Sequence, residues 1–288
     1  MHIRPLEAAD IPDVATIVAD AMLHDEVWAY LAPNRVKYYS EYRANFLLRT
    51  GIRFSSPGWV LYVAATDPED EIGTEQGQAH CQGSGRGGKV VGYCAWKRVG
   101  DSPAARRWKE EKESRGWWLE RRLLNIQLRY ADIFNQNRAI DNSRMQTYVS
   151  VTAGNFPSDI FPELWYVGIL AIHPSYQRRG VGKMLVQWGI EHGKAENVPV
   201  GLEPSLMGRG LYKKLGFRDL GKVEFMGSEW VAMMLWEPRG LSAEESWFER
   251  ATEVERKKEE EKEKEKNKRI ALEADDIIST LRAPLCKT

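Results

Sequence analysis

Apolar positions along the chain switch between a helical and a strand period, and the switches lay out a mixed α/β order. His2 to Pro5 reads as a short strand. Asp10 then stands as an N-cap before Val14, Ile17, Val18 and Ala21, which keep one face of a helix. A second helical stretch is predicted from about Pro33 to Leu48. "GWVLYVAAT" (Gly58 to Thr66) and "VVGYCAWKRV" (Val90 to Val99) are rich in β-branched and aromatic residues and predict strands. The polar, glycine-rich "DPEDEIGTEQGQAHCQGSGRGGK" between them predicts a long, mobile hairpin connection.

From about Ala104 to Asn135 the pattern predicts one or two inserted helices, with Trp108, Trp117, Leu124, Leu128 and Phe134 as candidates for a buried side. "LWYVGILAI" (Leu164 to Ile172) is an almost unbroken apolar run, as expected of a strand covered on both faces. Gly168 inside it predicts a bulge or the close approach of a ligand. Val181, Met184, Leu185 and Trp188 then keep a helical face, "VPVGLEP" (Val198 to Pro204) predicts a strand, and Leu211, Tyr212 and Leu215 mark a short helix ended by Gly216. Two closing strands are predicted in Phe217 to Phe225 and Trp230 to Trp236.

After Leu241 the composition changes. Ser242 with Glu245 has the spacing of a capping box, and Glu249 to Arg269 is almost wholly Glu, Lys and Arg. This run lacks the apolar heptads of a coiled coil, so it predicts a solvated helix or a disordered tail, with partner binding as the alternative. Ile270, Leu272, Ile277, Ile278 and Leu281 could return to the domain. The chain thus divides into an α/β (α+β) domain, residues 1–240, with a mixed central sheet flanked by helices and a helical insertion at about 101–160, and a helical or disordered tail, residues 241–288.

Composition narrows the function. Formal net charge is zero, so no global field draws the protein to nucleic acid or to an anionic membrane. Three cysteines, Cys81, Cys94 and Cys286, form no C-x-x-C pair, which argues against a disulfide framework and against a metal site. "MHIRPLEAAD" lacks a signal-peptide core, and no run approaches the ~20 apolar residues that span a bilayer, so a soluble, cytoplasmic protein is expected. Eleven tryptophans and eleven tyrosines suit an aromatic-lined cleft, although ordinary core packing accounts for most of them.

The chemistry concentrates in "ILAIHPSYQRRGVGK", Ile169 to Lys183. A helix opening near Gly180 leaves its first amides without partners and presents the positive end of its dipole. Gly180 and Gly182 carry no side chain to keep an anion away, and Arg178, Arg179 and Lys183 add charge. Together they predict a phosphate or pyrophosphate pocket. Neither the Walker pattern nor a G-x-G-x-x-G dinucleotide fingerprint is present, which demotes nucleotide hydrolysis and nicotinamide chemistry.

The order of apolar strand, proline turn, Gln177-Arg178-Arg179-Gly180-Val181-Gly182, amphipathic helix, strand and "GRGLYKKLGF" resembles the GNAT superfamily of N-acetyltransferases. The first motif matches that family's Q/R-x-x-G-x-G/A pyrophosphate loop in full, and "LYKKLGF" (Leu211 to Phe217) is similar to its L-Y-x-x-x-G-F signature. The resemblance covers Leu164 to Phe217 firmly and extends over His2 to Val99, where "IRPLEAADIPDVATI" is similar to the family's first strand and helix. The glycine-rich connection, the insertion and the tail resemble those of a fungal-type member.

The resemblance implies acetyl-coenzyme A as acyl donor and an amine as acceptor. It implies that the pantetheine arm pairs like an added strand with Leu170, Ala171 and Ile172, beside a splaying bulge at Gly168. The pyrophosphate would follow Gln177, held at Arg178, Arg179, Gly180, Val181, Gly182 and Lys183. Tyr212 matches the tyrosine that protonates the departing thiolate, and Ser205 takes the slot where many members carry a cofactor-contacting asparagine.

Among the residues themselves, Glu203 at a strand end is the candidate base, with bracing of a loop as the alternative. His173 is expected to cap the turn or face solvent, and Cys94 to lie in the core. The resemblance implies that the acceptor is shaped by the first two helices and the loops around the cleft, here the regions of Trp28, Tyr30, Tyr38 and Tyr39, and the inserted helices with Trp117 and Trp118 are expected to lid it. A small, partly apolar amine fits best; a peptide N-terminus, a lysine or a hydroxyl stays open. A catalytically silent acyl-coenzyme A sensor, and a protein N-acetyltransferase using the tail as an interaction module, are the alternatives. Oligomeric state is not read from the sequence.

Overall fold

Residues 1–70, 88–134 and 136–282 are described by the computed structural model. The predicted mobile connection lies largely outside the described residues. The chain opens with β1 (His2–Pro5), α1 (Ile11–Ala21), α2 (Glu26–Leu31) and α3 (Tyr39–Phe54), followed by β2 (Trp59–Ala65) and β3 (Val90–Val99). The insertion supplies α4 (Pro103–Glu110), α5 (Arg115–Ile133) and α6 (Asn142–Thr152). Then come β4 (Leu164–Ile172), α7 (Val181–Glu196), β5 (Val200–Leu202), α8 (Leu206–Lys214), β6 (Arg218–Phe225), β7 (Ser228–Trp236) and α9 (Trp247–Arg282).

This is the expected mixed α/β class. One seven-stranded sheet runs in the order β1-β2-β3-β4-β5-β7-β6. Its neighbours are antiparallel except for the parallel pair β4 and β5. Alternate residues of β3 serve the two faces. Tyr93 and Ala95 join Val14, Ile17, Tyr42 and Phe46 under α1 and α3, while Cys94 and Trp96 join Leu185, Val186 and Trp188 under α7. Both faces being covered explains why β3 and β4 read as near-continuous apolar runs.

Several tryptophans prove to be core. Trp96, Trp108, Trp165 and Trp188 meet at ring separations between 5.2 and 6.4 Å. They fit only because α7 carries Gly189, where a Cβ would stand 2.2 Å from the Trp96 ring. Gly189→Val is therefore expected to destabilise the fold by at least about 2 kcal/mol through overpacking; an unchanged denaturation midpoint would show that α7 has room there. At the root of the insertion the buried Arg98 guanidinium pairs with Glu163 at 2.5 Å and Glu196 at 2.7 Å.

Four local expectations need correction. Asp10 does not cap α1 with its side chain: the carboxylate takes the Arg4 fork at 2.7 and 2.9 Å and the Glu7 amide at 2.8 Å. The second predicted helix begins at Tyr39 and runs on to Phe54, because residues 33–38 form a turn in which Arg35 donates to the Leu23 and Ala32 carbonyls. The short α2 before it, capped by Asp25, was not predicted. Phe134 is 61% exposed, whereas Trp117 packs on Phe54 and Leu124 against Gly51.

The Ser242–Glu245 box closes a turn, and Ser246 caps α9 by accepting from the Glu249 amide at 3.1 Å. The helical alternative for the tail is the one adopted. It docks by its first turns: Trp247, Phe248, Ala251 and Val254 pack with Leu220, Met233 and Leu235. Leu272 is exposed, and the side chains of Ile270, Ile277, Ile278 and Leu281 lie outside the described residues. Among the described residues no helix is long and apolar enough to cross a membrane.

Candidate active site

The site begins where β4 loses a partner. Its ladder with β3 slips once: Ala95 faces Ile169 while Trp96 faces Val167, so Gly168 is the extra residue of the predicted bulge. The Trp59 ring occupies the place of a side chain there, 2.6 Å from where a Cβ would stand. On the other side β5 pairs with β4 only at Trp165↔Val200 and Tyr166↔Gly201. Beyond Tyr166 the β4 edge lies open, and the chain after Leu202 turns away through Glu203 and Ser205 into α8.

At the top of β4 a 3-10 turn, Pro174–Tyr176, leads into the glycine-spaced loop. His173 caps this turn by accepting from the Ser175 amide, and it is buried, so capping is the reading that holds. Gln177 Nε2 donates to the Ile172 carbonyl at 3.2 Å. Arg178 (φ 61) and Gly180 (φ 86) both adopt the left-handed region, which folds the loop back onto the start of α7. Among the described residues no side chain caps the start of that helix, whose N-cap is Gly180. Its first bond is from the Met184 amide to the Gly180 carbonyl, leaving the amides of Val181, Gly182 and Lys183 without helix partners.

A Cβ on Gly180 would meet nothing within 4 Å, whereas one on Gly182 would stand 3.2 Å from Leu211. Gly180 therefore keeps the helix end open, and Gly182 lets α8 approach α7. The Val181 side chain is buried, so only its backbone is available. Arg178, Arg179 and Lys183 are exposed and form no ion pair among the described residues. Arg179 lies over the Tyr176 ring.

Below the loop the strand gap opens into a cavity of about 330 Å³. Gly168, Ile169 and Leu170 form one wall; Glu203, Ser205 and Tyr212 form another. Ala171 turns its side chain into the core beneath α1 and α3, and Ile172 packs toward α7. Glu203 is held by the Tyr166 hydroxyl at 2.6 Å and by Asn155 Nδ2 at 3.2 Å. Burial raises its pKa, an effect partly offset by those two bonds. Tyr212, 7% exposed, packs edge-on to Phe217, and burial pushes its phenol well above the ordinary value. Ser205 caps α8 by accepting from the Gly208 amide at 3.2 Å.

Cys94 is fully buried, and burial raises its thiol pKa, which disfavours the thiolate a covalent route requires. Among the described residues no cluster of His, Cys, Asp and Glu could hold a metal ion.

The fold thus brings together Glu203, Ser205, Tyr212 and Leu170 around one cavity, with the loop from Gln177 to Lys183 outside it. Of the aromatic residues expected to shape the acceptor region, Trp28 lines the cavity. Tyr30, Tyr38 and Tyr39 do not: Tyr30 packs on Phe225, Tyr38 lies under Arg138, and Tyr39 bonds Asp20. Trp117 and Trp118 are also outside, one against Phe54 and one half-exposed under Arg122. The cover comes instead from Met145, Tyr148 and Thr152 of α6. Sequence reasoning missed these, together with Asp25, Asn155, Tyr166, Arg49 and Arg53. The one legible signal was on α3, where Arg49 and Arg53 prolong the face of Tyr42 and Phe46.

Several known proteins are similar to this chain in sequence or in structure. A curated protein described as an acetyltransferase, from the fungus Stachybotrys chartarum, is 26% identical over 222 residues, 77% of this chain and 82% of its own length. A probable acyltransferase, SID5, of Ajellomyces capsulatus is 41% identical over 46 residues, 16% of this chain and 34% of its own. A Corynebacterium glutamicum structure described as histone acetyltransferase HPA2 and related acetyltransferase has 19% identity and a TM-score of 0.48, covering 83% of this chain and 97% of that one. The profile of the acetyltransferase (GNAT) family matches residues 60–217, more than half of the sequence, from within β2 to the end of the Leu211–Phe217 motif, and the chain belongs to that family.

Proposed function

We propose that the protein moves an acetyl group from acetyl-coenzyme A to the amine of a small molecule, by direct attack while both are bound. The observation that carries this reading is the strand gap: it sets a half-buried carboxylate, Glu203, and a buried phenol, Tyr212, around the open edge of β4. That edge fits an extended amide-bearing arm along Leu170, Ala171 and Ile172. The uncapped start of α7, with Gln177, Arg178, Arg179, Gly180, Val181, Gly182 and Lys183, fits a pyrophosphate. Ser205 lies close enough to the cavity for a further contact.

The donor supplies an activated acyl group and a thiol leaving group. Glu203 takes a proton from the ammonium form of the acceptor, so that a neutral amine is presented; its raised pKa suits that task. Tyr212 keeps its proton until the carbon–sulfur bond breaks, gives it to the departing thiolate, and is reprotonated by the proton that the acylated nitrogen sheds on becoming an amide, since burial opposes a lasting phenolate. The cavity, Trp28 and the α6 cover hold the two reactants together and exclude water. The reading uses no metal. It places the catalytic unit in residues 1–240, adds residues 241–288 as a tail, and puts the protein in the cytoplasm.

Titration calorimetry of acetyl-coenzyme A against the wild type and Gly180→Glu tests the donor site. The wild type is expected to bind, and the variant to bind at least about tenfold more weakly, because a carboxylate is brought against the phosphates. Gly180→Ala separates this from backbone strain, since both variants share the left-handed φ and only one adds charge. Equal affinity of all three would mean the loop has another role. Binding by the wild type without turnover of any amine would favour the silent sensor.

A further inference from the structure

The cavity contains two cations that the reaction does not use. Arg49 and Arg53 stand one turn apart on α3 and both line it. Arg49 Nε donates to the side-chain oxygen of Asn45 at 3.0 Å, and the Arg53 guanidinium lies over the Trp59 ring at 5.1 Å. Among the described residues neither forms an ion pair, although other sheltered arginines do: Arg4 with Asp10, Arg98 with Glu163 and Glu196. Burial lowers the Arg49 pKa and the neighbouring Arg53 charge lowers it further, while the Asp132 carboxylate opposes both.

Such a pair is costly in the empty protein. Like charges at i and i+4 repel, and a sheltered cation without a directly paired counter-ion loses hydration that it recovers only in part. The donor phosphates do not relieve it, since the loop from Gln177 to Lys183 contributes nothing to the cavity wall. A guanidinium fork is shaped to receive a planar carboxylate through two parallel bonds.

The acidic groups of the same cavity come from other elements. Glu203 follows β5, and Asp25 caps α2 with its carboxylate on the Val27 and Trp28 amides at 3.0 Å. Neither forms an ion pair with Arg49 or Arg53, so the negative and positive groups remain separate. Trp28, Phe46, Met145 and Phe225 supply apolar lining. We propose that the acceptor is a small amine that also carries a carboxylate, an amino acid with an apolar side chain, whose carboxylate is received by Arg49 and Arg53 while its amine faces Glu203. A volume of about 330 Å³ suits a molecule of that size beside the reactive end of the donor.

This inference rests on the acetyltransferase reading, and the test separates the two. Thiol release from acetyl-coenzyme A would be followed with phenylalanine, leucine and methionine, with the amide of each, and with the matching amine lacking the carboxylate. The acids are expected to exceed their partners in kcat/KM by at least about tenfold. Arg49→Met and Arg53→Met should erase that margin by raising KM for the acids, leave the plain amines unchanged, and regain part of it as Arg→Lys. The wild-type comparison needs no variant to fold. Plain amines or amides turned over as well as the acids, or no acid turned over by a protein that binds acetyl-coenzyme A, would overturn the carboxylate assignment. Absence of acetyl-coenzyme A binding would instead remove the acetyltransferase reading.

Discussion

Tyr212→Phe is expected to lower turnover by about 10²–10⁴-fold, the usual worth of a placed general acid, while leaving acetyl-coenzyme A affinity unchanged. The substitution isolates the hydroxyl. The ring is 7% exposed, packed on Phe217 and wedged beside Gly208, and a phenyl group keeps those contacts. The lost atom is the proton donor for a thiolate whose conjugate acid has a pKa near ~8.5. Burial raises the Tyr212 pKa, so the acid stays protonated as pH rises, and any alkaline limb of kcat that it causes lies above the range of an ordinary phenol. Turnover under saturating donor and acceptor, beside calorimetric affinity, decides the matter. Wild-type activity in the variant at every pH would remove Tyr212 from the chemistry.

What could be read in the sequence follows physical locality. The bulge at Gly168 was legible because a glycine weakens a run of apolar, branched residues and belongs where the ladder slips or another group comes close. The register slip between Ala95 and Trp96 bears it out. Gly216 was legible as a helix stop, and it takes φ 92. The open helix start from Gln177 to Lys183 was legible because its parts are local: backbone amides, two glycines and neighbouring charges within one turn.

The rest of the cavity wall was not legible, because it is assembled from elements distant in the chain. Asn155 meets Glu203 across 48 residues and Tyr166 meets it across 37, pairings that no periodicity encodes. Ending the second helix at Leu48 left Arg49 and Arg53 outside it. The cover was assigned to Trp117 and Trp118 because they are large and aromatic. The polar sequence of α6 gave no comparable signal, yet Tyr148 reaches across to Phe225 at 5.6 Å. Apolar size marks what can be buried, but only the packed sheet fixes what each ring is buried against.

Glu203→Gln should lower kcat/KM near neutral pH by about 10²–10⁴-fold, since the amide keeps the size of the side chain and loses the ability to take a proton. The pH profile carries the sharper test. Burial raises the Glu203 pKa, so as pH falls through that raised value the base becomes protonated and the rate drops; the acidic limb therefore lies above the range of an exposed glutamate. In the Gln variant this limb should vanish, leaving only the slope of the acceptor amine. The defect should narrow at alkaline pH, where the amine loses its proton unaided. Tyr166→Phe provides a control of opposite logic. Its hydroxyl, 2.6 Å from Glu203, holds the pKa down, so removing it should move the limb to still higher pH with the base retained. A limb that stays in place in both variants would assign the acidic ionisation to another group and leave Glu203 as a brace between Asn155 and Tyr166.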